Sequence, residues 1–251
     1  MTQDHQINVE KLRTTCQSCS LRELCLPHGL NAAVINKLDE IVDHFNLIHA
    51  GELMFTTGDQ FKGLYVLRAG SVKLLTHTEE CKEDIIGFYL AGDFIGIDGI
   101  EHQKHRCSAI ALETSSYCIL PFPGIGNLCR KIPELNNRLL EIISREMIND
   151  NSLILKLSKN NSEEKIAIFL ITLSNRYKRL GYSPYEFKIP MTRHDISNYL
   201  NLTNETICRV LTKFQRYNLL DTTNRKIKIL DHIRLMDIAM NRGKNEDRKI
   251  S

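Results

Sequence analysis

The stretch Met191–Leu211, MTRHDISNYLNLTNETICRVL, leaves this 251-residue chain the fewest structural choices. It reads as two short helices around a tight turn. Ile196 and Leu200 lie four apart on the first helix, and Ile207 and Leu211 four apart on the second, so each helix has one apolar face. Asn201 falls where the turn needs a left-handed backbone, which Asn tolerates better than other non-glycine residues. Thr203 follows as an N-cap, and Glu205 suits the positive end of the second helix. That helix carries Asn204, Glu205, Cys208 and Arg209 on one face, with Lys213 and Arg216 beyond. A carboxylate that accepts from cytosine and an arginine that forks onto guanine, four residues apart, make a base-reading pattern. The competing reading is an ordinary helical hairpin whose exposed face happens to be charged. The next segment weighs against it. Residues 221–230, DTTNRKIKIL, set a polar turn before the alternation Lys226, Ile227, Lys228, Ile229, as in a half-buried strand with a basic outer face. A basic hairpin behind a helix-turn-helix is a wing that can lie along phosphates.

Net charge is only +3, so any basic surface for nucleic acid has to be local. A 42% hydrophobic and 25% charged composition is that of a soluble globular protein. No run of about 18 apolar residues is present, so no membrane partner is expected. The polar start MTQDHQINVEKLR does not read as a signal peptide, and the expected compartment is the cytoplasm. In that setting eight cysteines point to metal or redox use rather than a disulfide framework. The nine histidines are scattered, and no Ser/His/Asp or His/Glu constellation stands out, so an enzyme is not expected.

Three of the cysteines are Cys16, Cys19 and Cys25, in CQSCSLRELC. A Cys-x2-Cys pair can place two thiolates on one metal centre, and a third nearby leaves one ligand to be found. Three thiols within ten residues of a polar segment are hard to explain as core filling. Cys118, in the strand-like ETSSYCILPF, is a candidate for the fourth ligand. Cys81, Cys107 and Cys129 compete with it on sequence alone.

The remaining segments suggest an α+β chain. Residues 1–15 read as flexible, and Asn31–Asn46 as a helix with Val34, Ile35, Leu38, Ile41 and Val42 on one face. From Leu47 to Pro121 short apolar runs are punctuated by glycines such as Gly51, Gly58, Gly63, Gly70, Gly87 and Gly92, the texture of a β-barrel or jelly roll. Ile132–Leu157 reads as one long helix. Leu140, Ile143, Met147, Asp150, Ile154 and Leu157 recur on one face every three or four residues, as in a paired helix seam. A second face, with Leu135, Leu139, Ile142 and Leu153, is suited to packing on the barrel. A polar hinge at 159–162 precedes a further helix through Leu180, which leads back to the helix-turn-helix, and the charged tail after Arg242 reads as disordered. The expected domains are an N-terminal arm (1–30), a β-roll (31–131), a dimerisation helix (132–158), a winged helix-turn-helix (159–242) and a charged tail (243–251).

Together the β-roll, long helix and winged helix resemble the CRP/FNR family of bacterial transcription regulators over nearly the whole chain. The C-x2-C-x5-C run, LAGDFIG, ETSSYCILPF and TNETICR are similar to its oxygen-sensing FNR branch. That resemblance implies a [4Fe-4S] cluster held by Cys16, Cys19, Cys25 and Cys118, whose loss in oxygen weakens a homodimer. It also implies base contacts from Glu205 and Arg209, with Cys208 where FNR proteins usually carry serine, and TTGAT-like palindromic half-sites. Phosphate contacts would fall on Arg193, His194, Thr203 and Thr206. An aspartate opposing dimerisation would fall on Asp150. Arg106 lies where cyclic-AMP-binding relatives place a phosphate-binding arginine, but their ribose-binding glutamate is Ile97 here.

The physical expectation is a switch. Four thiolates from two parts of the chain meet on a metal only if the N-terminal arm folds back on the roll, and metal binding then supplies folding free energy to that arm. An ordered arm braces the long helix, and a dimer doubles the DNA contacts. The expected function is an oxygen-responsive activator of anaerobic gene expression, with double-stranded DNA, a second copy and RNA polymerase as partners. The alternatives are a cyclic-nucleotide-gated or structural-metal regulator of the same fold.

Overall fold

The computed structural model describes residues 15–77 and 83–240, without the side chains of His77 and residues 148–159. The first residues of the arm, Cys81 and the 243–251 tail lie outside the described residues. The chain separates into two compact units. One comprises the chain up to Val72 with Tyr89–Glu146, and the other Lys73–Phe88 with the chain from Met147 on.

The first unit is a roll flanked by helices. Helix α1, Ala32–Asp39, opens on Asn31, whose side chain accepts from the Val34 N–H. It is shorter than the expected Asn31–Asn46. Glu40 caps it, and Asp43–Ile48 forms strand β1 instead, paired antiparallel with β8 (Ser115–Pro121) in the register Leu47↔Ser116 and Ile48↔Ser115. The alternating exposure along β1 shows why: Phe45 and Leu47 face one way and Ile48 the other, so a two-residue period wins once a partner strand is present. Next come β2 (Leu53–Phe55), β3 (Gly63–Ala69), β6 (Phe94–Ile95) and β7 (Ser108–Ala111), while β4 (Ser71–His77) and β5 (Glu83–Leu90) belong largely to the second unit. They form two four-stranded sheets, ordered β1-β8-β3-β6 and β2-β7-β4-β5. Gly70 makes the β3–β4 turn at φ +86, with Ser115 so close that a Cβ there would sit 2.2 Å from its Oγ.

Helix α2, Phe122–Lys131, was not anticipated, although Pro123 near its start is a recognisable signal. Long helix α3 spans Pro133–Lys159, close to expectation. Leu135 and Ile142 on it are fully buried and Leu139 partly so, in a core with Leu26, Ile35, Leu38, Leu64, Phe94 and Ile125. Leu140 and Met147 are more than half exposed and Ile143 is half-buried. Asp150, Ile154 and Leu157 continue the helix, but their side chains, like that of Leu153, lie outside the described residues.

In the second unit α4, Ser162–Arg179, starts on a reciprocal capping box between Asn161 and Glu164. It buries Ile166, Phe169, Leu170 and Leu173. Strand β9 (Glu186–Lys188), α5 (Arg193–Leu200), α6 (Asn204–Arg216), β10 (Leu220–Thr223), β11 (Lys226–Ile229) and α7 (His232–Ala239) complete it. The sheet order is β10-β11-β9. No helix among the described residues is long and apolar enough to cross a membrane.

Candidate functional site

Two surfaces carry the chemistry singled out in the sequence, one in each unit.

In the first unit Cys16, Cys19, Cys25 and Cys118 line a single pocket with Leu26, Val66 and Leu120. Cys16 sits in a turn, Cys19 directly follows it, and Cys25 ends a short 3-10 turn over Arg22–Leu24. Cys118 is contributed by β8, opposite Val66 of β3. Its thiol donates to the carbonyl of His44, 3.6 Å away. All four thiols are half-buried. The other described cysteines are elsewhere: Cys129 is buried on α2, Cys208 is exposed, and buried Cys107 donates to Asp98 (3.3 Å).

Burial pushes the Cys25 thiol up to about 12, with the neighbouring Cys19 and Cys118 adding to the rise. Burial likewise raises Cys118 to about 11, against the pull of Arg68. Cys16 is raised by burial, by its hydrogen bond to Asp39 and by the charges of Cys25 and Cys118. Without a cation, these thiols hold their protons. Gathered thiolates need a countercharge, and soft sulfur donors in such a set select iron–sulfur clusters or zinc. A mononuclear tetrahedral centre at about 2.3 Å per bond would draw its sulfurs to within roughly 4 Å of each other. Among the described residues, the one group of three ligand atoms within 4.8 Å of one another is Cys16, Asp39 and His44, so the four sulfurs are spread more widely than that centre requires. The donor set fits a polynuclear group.

Sequence reasoning missed the residues around this pocket. Asp39 Oδ1 accepts from the Cys16 N–H at 2.7 Å and lies 3.0 Å from His44 Nε2. Arg138 of α3 donates to the Cys25 carbonyl from Nε (3.4 Å) and Nη2 (3.3 Å). These pairs are far apart in sequence, so no local pattern announces them.

In the second unit the helix-turn-helix is built as its residues suggested. Thr192 and Asp195 form a capping box at the start of α5. Asn201 turns the chain at φ 50, ψ 57, and the Thr203 hydroxyl accepts from the Thr206 N–H. Ile196, Leu200, Ile207, Val210, Leu211 and Phe214 are buried. Glu205, Cys208 and Arg209 are all exposed on α6, within one turn and a single face. Arg193, His194 and Thr203 are also exposed, while Thr206 is half-buried, its hydroxyl 2.9 Å from that of Thr203. Lys213 is held by Glu163 at 2.6 Å. In the wing, Asn224 and Arg225 both have positive φ, as a two-residue hairpin turn requires. Lys226 and Lys228 face outward and Ile227 and Ile229 inward, with Lys226 paired to Glu186. Arg106 is exposed and pairs with Glu101 at 3.8 Å.

Residues 46–131 match the cyclic nucleotide-binding domain family and residues 164–238 the Crp-like helix-turn-helix domain family. The fumarate and nitrate reduction regulatory protein of Vibrio cholerae is 42% identical over 89% of this chain and 90% of its own length. Electron transport regulator A of Shewanella oneidensis is 43% identical over 90% of each chain. Among solved structures, FixK2 from Bradyrhizobium japonicum aligns with a TM-score of 0.71 at 22% identity, covering 77% of this chain and 96% of FixK2, a likeness of fold. The chain is a DNA-binding transcription regulator and belongs to the CRP/FNR family.

Proposed function

We propose that this protein is a cytoplasmic, oxygen-responsive regulator of anaerobic gene expression that binds DNA as a homodimer when an iron–sulfur cluster is in place. One observation carries the reading: thiols from residues 16–25 and from Cys118, nearly a hundred residues on, line one pocket. Cys16, Cys19, Cys25 and Cys118 would hold a [4Fe-4S] cluster. When bound, it supplies an oxygen-labile cross-link between the N-terminal segment and β8. Arg68 and Arg138 stand beside the thiols and would offset part of the charge that cluster-bound thiolates carry. Arg138 also ties the Cys25 carbonyl to α3, so order in the cysteine segment is felt by the helix that carries Leu140, Ile143 and Met147. We assign dimerisation to that apolar face, continued through Asp150, Ile154 and Leu157.

In the dimer, Glu205, Cys208 and Arg209 would read base edges in the major groove, and Arg193, His194, Thr203 and Thr206 would meet phosphates. Two such helices match TTGAT-like half-sites about one helical turn apart. Contact with RNA polymerase would follow at activated promoters. A nucleotide-gated reading finds less support: Arg106 points to solvent beside Glu101, and Ile97 packs against the core.

Protein purified without oxygen tests the reading by iron and acid-labile sulfide analysis and a visible spectrum. Equal iron and sulfide with a brown colour that bleaches in air support it. Colourless, sulfide-free protein that binds its DNA equally well in air overturns it.

A further inference from the structure

We propose a second metal site, made by Cys16, Asp39 and His44, that takes a single borderline-soft divalent cation such as zinc or ferrous iron when the four-thiol pocket holds no cluster. The cysteine Sγ, a carboxylate oxygen and an imidazole nitrogen lie within 4.8 Å of one another, the only such trio among the described residues. One sulfur, one oxygen and one nitrogen donor form the mixed set that suits a tetrahedral cation with water in the fourth position.

The trio is already organised without an ion. The Asp39 carboxylate holds the Cys16 backbone N–H at 2.7 Å and the His44 ring at 3.0 Å. His44 and Asp39 side chains are each only 19% exposed. Hence little chain entropy remains to be lost on binding. Access is available too: Cys16 and His44 both line the four-thiol pocket. Binding is a ligand exchange in which water leaves the ion, Cys16 Sγ, an Asp39 carboxylate oxygen and His44 Nε2 bond to it, the thiol proton passes to solvent and the neutral imidazole keeps its one proton on Nδ1. No electron is transferred.

Cys16 belongs to both ligand sets, so the two occupancies exclude each other. The mononuclear ion would keep residues 16–25 attached to α1 and β1 while the pocket awaits a cluster. The site itself needs no cluster, so its test is made on cluster-free protein.

Cobalt(II) is the probe, titrated anaerobically into reduced, cluster-free, full-length protein. One equivalent should bind with a thiolate-to-cobalt absorption band. Cys19→Ser/Cys118→Ser should keep both band and affinity, because those thiols belong to the other set. Asp39→Asn and His44→Gln, which retain hydrogen-bonding capacity, should each weaken binding by at least about tenfold. Far-UV circular dichroism of the two variants, expected to match wild type, separates ligand loss from misfolding. Zinc should displace the cobalt. Cobalt that survives both substitutions but is lost in Cys19→Ser/Cys118→Ser would place the ion on the four thiols and overturn the proposal, as would absence of binding in wild type. Failure of the cluster reading shows separately, in the sulfide content of anaerobically purified protein.

Discussion

Lys73 Nζ donates to Asp195 Oδ1 at 2.7 Å, tying β4 to the first helix of the helix-turn-helix through side chains that are 19% and 7% exposed. The same contact surface includes Asn198, whose side chain accepts from the Ile85 N–H and donates to the Glu83 carbonyl, both at 2.7 Å. Phe88 packs edge-on to Tyr199 with ring centroids 4.9 Å apart. The segment Lys73–Phe88, which carries most of β4 and β5, is therefore a structural part of the DNA-binding unit.

Asp195 gives this contact a pH signature. Burial works to raise its pKa, but hydrogen bonds from Lys73 and Thr192 outweigh burial and hold it below the ordinary value of 3.8. A folded pKa below the unfolded one means that the unfolded chain binds more protons in acid. The associated stability is complete above about pH 4 and is lost as pH falls through the folded value. Lys73→Met should destabilise the second unit by about 1–3 kcal/mol at neutral pH, less than for a fully isolated charge because Thr192 still serves the carboxylate. Thermal melts at pH 7 and pH 3 should show the two proteins converging in acid.

The fourth thiol gives the second prediction. Cys118→Ser should remove most of the iron bound anaerobically, since about four irons need all four thiolates. Cys129→Ser and Cys81→Ser should leave iron and colour unchanged. Cys129 is buried on α2 and does not line the pocket. Full iron in Cys118→Ser would force another assignment.

The parts legible in sequence are those governed by neighbours in the chain. Asn201 and Thr203 announce the turn and cap of the helix-turn-helix because backbone conformation and capping are local. Alternation alone marks Lys226–Ile229, and uninterrupted periodicity marks α3. What sequence hid depends on distant partners. Asp43–Ile48 has enough helical texture to read as part of a longer α1 until β8 claims it. Asp39 and His44 look like surface residues until residues 16–25 fold against them. Spacing leaves Cys118 level with Cys107 and Cys129, and only the fold shows that β8 brings Cys118, but neither of those two, to the pocket lined by Cys16, Cys19 and Cys25.

Base reading gives the third prediction. Arg209 is exposed on α6, four residues after Glu205. Arg209→Ala should cost about 1–3 kcal/mol at the cognate palindrome, with a smaller loss on scrambled DNA whose phosphate contacts persist. Equal losses on both in an anisotropy titration at fixed salt would make Arg209 a phosphate contact.

Asp150 falls in the same face of α3 as Leu140, Ile143 and Met147 by sequence period. Pairing two such faces brings two carboxylates together, at a cost in repulsion and lost hydration. Asp150→Ala should favour the cluster-free dimer by roughly 1–3 kcal/mol, about tenfold to a hundredfold in association. Sedimentation of cluster-free variant and wild type decides it, and identical constants would place the charge outside the interface.

Arg138 is where the cysteine segment and α3 meet. Its guanidinium donates from Nε and Nη2 to the Cys25 carbonyl, while Nη1 reaches Glu141 at 3.1 Å. The side chain is 13% exposed, so the carbonyl bonds are largely shielded, whereas Glu141 is 66% exposed and adds little. Arg138→Ala leaves the Cys25 carbonyl without these donors, at a cost of about 1–3 kcal/mol. That cost falls on the register between residues 16–25 and the helix rather than on the roll. The variant should keep its melting transition but show faster amide exchange over residues 16–30 and quicker loss of iron in air. Arg138→Lys, with one ammonium in place of the fork, should fall between the two. Glu141→Ala should behave as wild type. If Arg138→Ala exchanges and loses iron at the wild-type rate, the segment is held by its cysteines alone and α3 receives no signal through this residue.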